Sequence, residues 1–181
     1  MTGMNDPMQA HARDLLESTA KCLEGIDPAA AAHFRRQICD ARHVFVAGAG
    51  RTGYVARCFA MRLMHLGFPV HVVGEATAPA PTHQDLLLLF SGTGETLSTC
   101  EVASRAADRH VPMQAVTANP ESRLARTAGT SLVIPAGEGG RFPLGTLFES
   151  VLFAFLDASV LALKDEMKVK DDEMSARHAL G

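Results

Sequence analysis

The apolar positions change their spacing several times along the chain, and each change marks an expected element. Asp6-Pro7 and Asp27-Pro28 each read as an N-cap followed by proline at the first helical position, which predicts helices over 7–24 and 28–40. His43-Val44-Phe45-Val46-Ala47 is then a short β-branched and aromatic run that stops at Gly48, the pattern of a buried strand. From Thr52 to Leu66 the spacing turns helical, with Val55, Phe59, Leu63 and Leu66 on one face and Gly67 as C-cap. The alternation repeats. Val70 to Val73, Leu86 to Phe90, Met113 to Thr117 and Ser131 to Ile134 read as strands, and 96–110, 120–128 and 146–164 as helices. Strands alternating with helices predict an α/β fold with a parallel sheet covered on both faces.

Three segments need separate argument. The run Leu86-Leu87-Leu88-Leu89 is helical by propensity, but its shortness and flanking turn residues favour a central strand. Residues 74–85 carry Pro79 and Pro81 where a crossover helix is expected, so that connection is irregular. The charged end from Lys164 onward reads as an exposed helix. The expected organisation is one domain over 1–181: N-terminal helices in 1–40, an α/β core in 43–164 and a charged tail in 165–181.

Composition narrows the classes. Seventeen basic against twenty acidic residues give a formal net charge of −3, which argues against a general nucleic-acid binder. The best candidate for a membrane span, Val151 to Leu163, contains Asp157 and falls short of the roughly 20 residues needed. Met1 to Asp14 has no apolar core of the kind a secretory signal needs. A soluble, cytoplasmic protein with no membrane partner is expected. The four cysteines (Cys22, Cys39, Cys58, Cys100) form no Cys-x-x-Cys pair and read as small buried hydrophobes. No metal site is expected.

Two loops carry candidate chemistry. Gly48-Ala49-Gly50-Arg51-Thr52-Gly53 follows the first strand, and Ser91-Gly92-Thr93-Gly94-Glu95-Thr96 follows the third. Each combines glycines, hydroxyls and a following helix, which lets backbone N–H groups and a helix N-terminus meet an anion. The first loop matches G-x-G-x-x-G, with Glu75 following at the end of the second strand. A nicotinamide or flavin nucleotide is therefore one reading, and a structural strand–helix turn another. Arg51 inside the turn sits where a diphosphate usually needs small residues. In the second loop Ser91, Thr93 and Thr96 suit a phosphate monoester, whereas plain helix capping by Thr93 or Thr96 is the alternative. No P-loop lysine is present, which disfavours nucleotide hydrolysis.

Thr146-Leu147-Phe148-Glu149 is a capping-box pattern at the start of a nearly apolar helix. Glu149 is thus either a cap or a sheltered general base. His178, in the charged tail, is by default a solvated surface residue.

At these residues the chain resembles the 6-phospho-3-hexuloisomerases of the SIS (sugar isomerase) family. The resemblance covers nearly the whole chain. It is strongest in Gly48 to Tyr54, Cys58 to Phe68, Ser91 to Thr96, Pro143 to Glu149 and the closing Arg177-His178. It implies a flavodoxin-like three-layer α/β/α sandwich with a five-stranded parallel sheet, and a homotetramer with active sites at subunit interfaces. It further implies interconversion of D-arabino-hex-3-ulose 6-phosphate and D-fructose 6-phosphate without a cofactor, the second step of the ribulose monophosphate route of formaldehyde fixation. The phosphate role carries over to Ser91, Thr93 and Thr96, the sugar-contacting loop to Gly50, Arg51 and Thr52, and the base role to Glu149. His178 is implied to reach a neighbouring subunit's site. Thr52 and Thr93 stand where relatives often have serine, and Ala179-Leu180-Gly181 replaces the usual Asn-Leu after the histidine.

Two competitors remain. One is another phosphosugar aldose–ketose isomerase. The other is a non-catalytic phosphosugar sensor, which needs a DNA-reading segment that the first 40 residues do not supply, since they show no basic helix-turn-helix pattern.

Overall fold

One aspartate sets each of the first two helices. Asp6 accepts a hydrogen bond from the Met8 N–H (3.0 Å) and opens α1 (Pro7–Glu24), and Asp27 accepts from the Ala29 N–H (2.9 Å) and opens α2 (Pro28–Asp40). The computed structural model describes residues 6–137 and 141–178; the departing end Ala179-Leu180-Gly181 lies outside them. After α2 come β1 (Val44–Gly48), α3 (Gly50–Leu66), β2 (Val70–Val72), β3 (Leu86–Phe90), α4 (Leu97–Ala107), β4 (Met113–Thr117), α5 (Arg123–Ala128), β5 (Ser131–Val133), α6 (Thr146–Met167) and α7 (Asp171–Ala176).

The five strands form one parallel sheet in the order β2-β1-β3-β4-β5, a flavodoxin-like arrangement. β3 is central and buried along its whole length, so the leucine run is a strand, as its brevity implied. Its side chains divide between two cores. Leu86, Leu88 and Phe90 join Phe34, Phe59, Leu152 and Leu156 on one face, and Leu87 and Leu89 join Phe45, Cys100, Ala103 and Leu124 on the other. The connection from β2 to β3 contains no helix, as Pro79 and Pro81 predicted.

Some boundaries and burials differ from expectation. α3 starts at Gly50, two residues early, and α4 stops at Ala107, because the chain turns out of the helix before His110, which adopts φ 54°. α6 spans 22 residues and is, by length and composition alone, apolar enough to cross a membrane, contrary to the expected limit. Here its apolar residues pack as a core helix against α3 and α1. Of the four cysteines only Cys100 is buried; Cys39 and Cys58 are exposed and Cys22 is half-buried.

Candidate functional site

β1 and β3 pair directly, with Gly48 opposite Phe90, so the two glycine-rich loops leave the sheet side by side. This is the carboxyl edge at the point where strand order reverses, the general ligand position of open α/β sheets.

The first loop turns at once into α3. A Cβ on Gly53 would lie 2.6 Å from the Gly48 carbonyl oxygen, so only glycine lets the helix start this close to the strand end. That start carries Thr52 into the site, where its hydroxyl donates to Glu149 Oε1 (3.2 Å).

The second loop is knotted by its own hydroxyls. Ser91 is buried; its Oγ accepts from the Gly94 N–H (3.1 Å) and shares a 2.9 Å hydrogen bond with Thr96 Oγ1. Thr93 Oγ1 accepts from the Glu95 N–H (3.1 Å). Gly94 takes φ 68°, and a Cβ there would stand 2.1 Å from Ser122 Oγ. From the other side the Glu95 carboxylate accepts the Arg123 N–H (2.8 Å), which ties the loop to the start of α5. Thr96 occupies the N-cap position of α4, yet its side chain makes no capping bond. The hydroxyl turns to Ser91 instead, so plain capping does not account for it.

Glu149 does not act as a cap. The N-cap of α6 is Gly145 (φ 80°), with no side-chain cap bond, and the Thr146 hydroxyl donates to the Pro143 carbonyl (2.7 Å). The capping box does not form. Glu149, 7% exposed, faces Thr52 and Arg51. Arg51 Nε lies 3.0 Å from Oε2, but out of line for a hydrogen bond. Oε2 is therefore a buried acceptor with no hydrogen-bond partner among the described residues, an expensive state that a ligand would relieve. The Arg51 side chain is 66% exposed, so solvent screens much of its attraction.

These groups share one pocket of about 410 Å³. Thr52, Thr93, Thr96 and Glu149 form its polar wall, and Phe142, Leu144, Leu147 and Phe148 its apolar one. The volume suits a small metabolite. Gly50, Arg51 and Ser91 do not line the pocket. His178 is not brought here within its own chain. Its ring stacks on His65 (centroids 5.2 Å apart) at the far end of α3, roughly 20 Å from Thr52 by helix rise. Sequence reasoning missed the apolar wall, because Phe142, Leu144 and Phe148 read as ordinary core or loop hydrophobes.

A larger groove of about 690 Å³ lies along Phe45, Val73, Leu87 and Val102 and holds neither loop. Glu75, the carboxylate a dinucleotide ribose would need, is on its wall and pairs with Arg57. Among the described residues no three or more His, Cys, Asp or Glu are placed to share a metal ion.

The SIS domain family model matches residues 37–162. A 3-hexulose-6-phosphate isomerase of Mycobacterium gastri is 42% identical over 170 residues, covering 90% of this chain and 85% of the relative. Its Bacillus subtilis namesake is 38% identical over 150 residues, covering 78% and 81%. A solved Methanococcus jannaschii structure, described as inferring 3-hexulose-6-phosphate isomerase function, superposes with a TM-score of 0.87 at 30% identity, covering 94% of this chain and 98% of that one.

Proposed function

This chain belongs to the SIS domain family, and from that premise we propose that it is a sugar phosphate isomerase interconverting D-arabino-hex-3-ulose 6-phosphate and D-fructose 6-phosphate. The observation that carries the reading is the buried Glu149 carboxylate, whose Oε2 is ion-paired with Arg51 but accepts no hydrogen bond among the described residues, on the same pocket as the Thr93 and Thr96 hydroxyls. A base with an open lone pair thus stands beside hydroxyls at a helix N-terminus, the two things a phosphosugar isomerase requires. The relatives named for this reaction support the choice of sugar.

In the mechanism, Thr93 and Thr96 donate to the phosphate beside the α4 N-terminus, with Ser91 completing the loop. Thr52 faces the sugar from the pocket wall, and Gly50 and Arg51 belong to the same turn. Glu149 removes the proton at C2 of the 3-ketose, giving a cis-enediol, and returns it at C3, while the hydroxyl proton passes from O2 to O3. The ketone moves from C3 to C2 with no net gain or loss of atoms or electrons. Arg51, beside the base, stabilises negative charge developing on the enediol oxygens. His178 opens cyclic fructose 6-phosphate from a neighbouring subunit, since its own chain holds it at the far end of α3. The reaction needs no cofactor.

The test is a coupled assay that detects fructose 6-phosphate formed from hex-3-ulose 6-phosphate. Turnover that rises with enzyme concentration is expected. A protein that binds fructose 6-phosphate but yields no product is a sensor, and the proposal is then wrong.

A further inference from the structure

The anion loop and the base sit on different elements, and one contact sets the gap between them. Gly92, the second residue of the loop, lies against Phe148, the residue before Glu149. A Cβ built on Gly92 would stand 3.1 Å from both Cγ and Cδ1 of the Phe148 ring and 3.6 Å from its Cβ. Both residues line the pocket. Phe148 is 3% exposed and belongs to the core cluster of α6, so the ring's position and that of the helix start are coupled.

Which side yields to a clash decides what a side chain at 92 would do. The Gly92 carbonyl accepts from the Ala118 N–H (2.9 Å) and from the Thr117 hydroxyl (3.1 Å). The next residues are held by Ser91 and by the Glu95 carboxylate on Arg123. The loop is therefore braced on its β4 side. The first turn of α6 has no side-chain cap, and among the described residues the Glu149 carboxylate takes one hydrogen bond, from Thr52, and one ion pair, with the largely exposed Arg51. The helix end yields first.

We propose that Gly92 is a positioning residue: by lacking a side chain it seats the Phe148 ring against the anion loop, and this contact fixes how far Glu149 stands from a bound phosphate. Gly92 is not in the left-handed region, so its glycine identity answers to close approach rather than to backbone conformation. The phosphate anchors one end of the sugar, so this spacing selects the carbon presented to the base. The inference rests on the isomerase reading for its kinetic arm only.

Gly92→Ala and Gly92→Ala/Phe148→Leu are compared with wild type, after thermal melts establish that each folds. Gly92→Ala should lower kcat about tenfold, because small misplacements of reacting groups are costly, with inorganic phosphate inhibiting as in wild type. The smaller leucine should restore most of kcat. The carboxyl-carbon NMR resonance of Glu149, which needs no substrate, should shift in Gly92→Ala and return in the double variant. Wild-type turnover and an unmoved resonance in Gly92→Ala overturn the proposal. So does weaker phosphate inhibition in step with kcat, which would place the effect at the anion itself. So does a lost kcat, or a shifted resonance, that Phe148→Leu fails to bring back. If wild type itself turns nothing over, the isomerase reading fails separately, and the resonance still decides the spacing.

Discussion

The Glu149 carboxylate is free of capping duty because Gly145, rather than Thr146, is the N-cap of α6. A capping-box glutamate would spend its carboxylate on a backbone N–H; here Oε1 takes the Thr52 hydroxyl and Oε2 faces Arg51 without a hydrogen bond. Glu149→Gln keeps the shape and the Thr52 contact but removes the basicity. The expected result is an unchanged melting temperature and KM with kcat lower by about 10²–10⁴ in the coupled assay. Thr96 argues the same way at the other wall. Charge-assisted hydrogen bonds contribute about 1.5–3 kcal/mol, so Thr96→Val should raise KM about tenfold or more while kcat at saturation changes little. An unchanged KM would take the loop out of phosphate binding. Both residues were singled out by motif and spacing, and both line the same pocket. The contact between Arg51 and Glu149 was not legible in the sequence, because it joins residues distant in sequence through the packing of α3 on α6. Ser91 was legible as a hydroxyl but not as a buried one, since burial depends on the neighbouring strand.

At the scale of elements, the caps carried the most information. Asp-Pro pairs gave the starts of α1 and α2, and brevity with flanking turns gave β3. Helix ends without such signals were read poorly: α4 ends early and α6 runs on to Met167. The strand-to-helix turn at Gly48 has a direct test. Gly53→Ala sets a methyl 2.6 Å from the Gly48 carbonyl oxygen, an overpacking that costs about 1–3 kcal/mol. The melting temperature should drop by several degrees and activity should fall with it, because Thr52 sits in the same turn. The other end of α3 predicts a pH dependence. His65 is buried beneath α7; its carbonyl accepts from Arg177 (3.0 Å) and its ring lies under His178. Burial first, then the His178 and Arg62 charges, hold its pKa below the ordinary 6.5. Below 6.5 the unfolded chain binds the proton more readily than the folded one, so stability is complete above that pH and declines as pH falls. Melting curves from pH 7.5 to 5 should show this decline, and His65→Asn should flatten it. Asp85 works lower down. Burial raises its pKa, but hydrogen bonds from the Thr82 hydroxyl, His43 and the Thr82 N–H outweigh that and leave it below 3.8. Its stabilisation is lost only as pH falls through that lower value.

For the whole molecule, the position of His178 and the apolar surface lead to one prediction. Within a chain, the stack on His65 keeps His178 at the opposite end of α3 from Glu149. A catalytic role for it therefore requires a second copy whose tail meets this pocket. The surface provides for association. Phe153 and Leu161, eight residues apart on one face of α6, remain 44% and 63% exposed, and Leu16 on the adjoining α1 is 70% exposed. Exposed apolar residues on two adjoining helices favour burial against another chain over continued contact with water. Sedimentation at micromolar concentration should then give dimers or tetramers, and a lone 19.3 kDa species would remove any route for His178 to reach a site. Complementation takes the argument to the chemistry. Glu149→Gln lacks the base and His178→Asn lacks the tail histidine, so each homo-oligomer should be impaired. In mixed oligomers made by co-expression, some sites pair an intact Glu149 from one chain with an intact His178 from another. Activity on fructose 6-phosphate, the direction in which its ring must open, should exceed the sum of the two variants measured apart. If the mixture never rises above that sum, although sedimentation shows the chains associating, His178 does not serve a neighbour's site and ring opening belongs to another group.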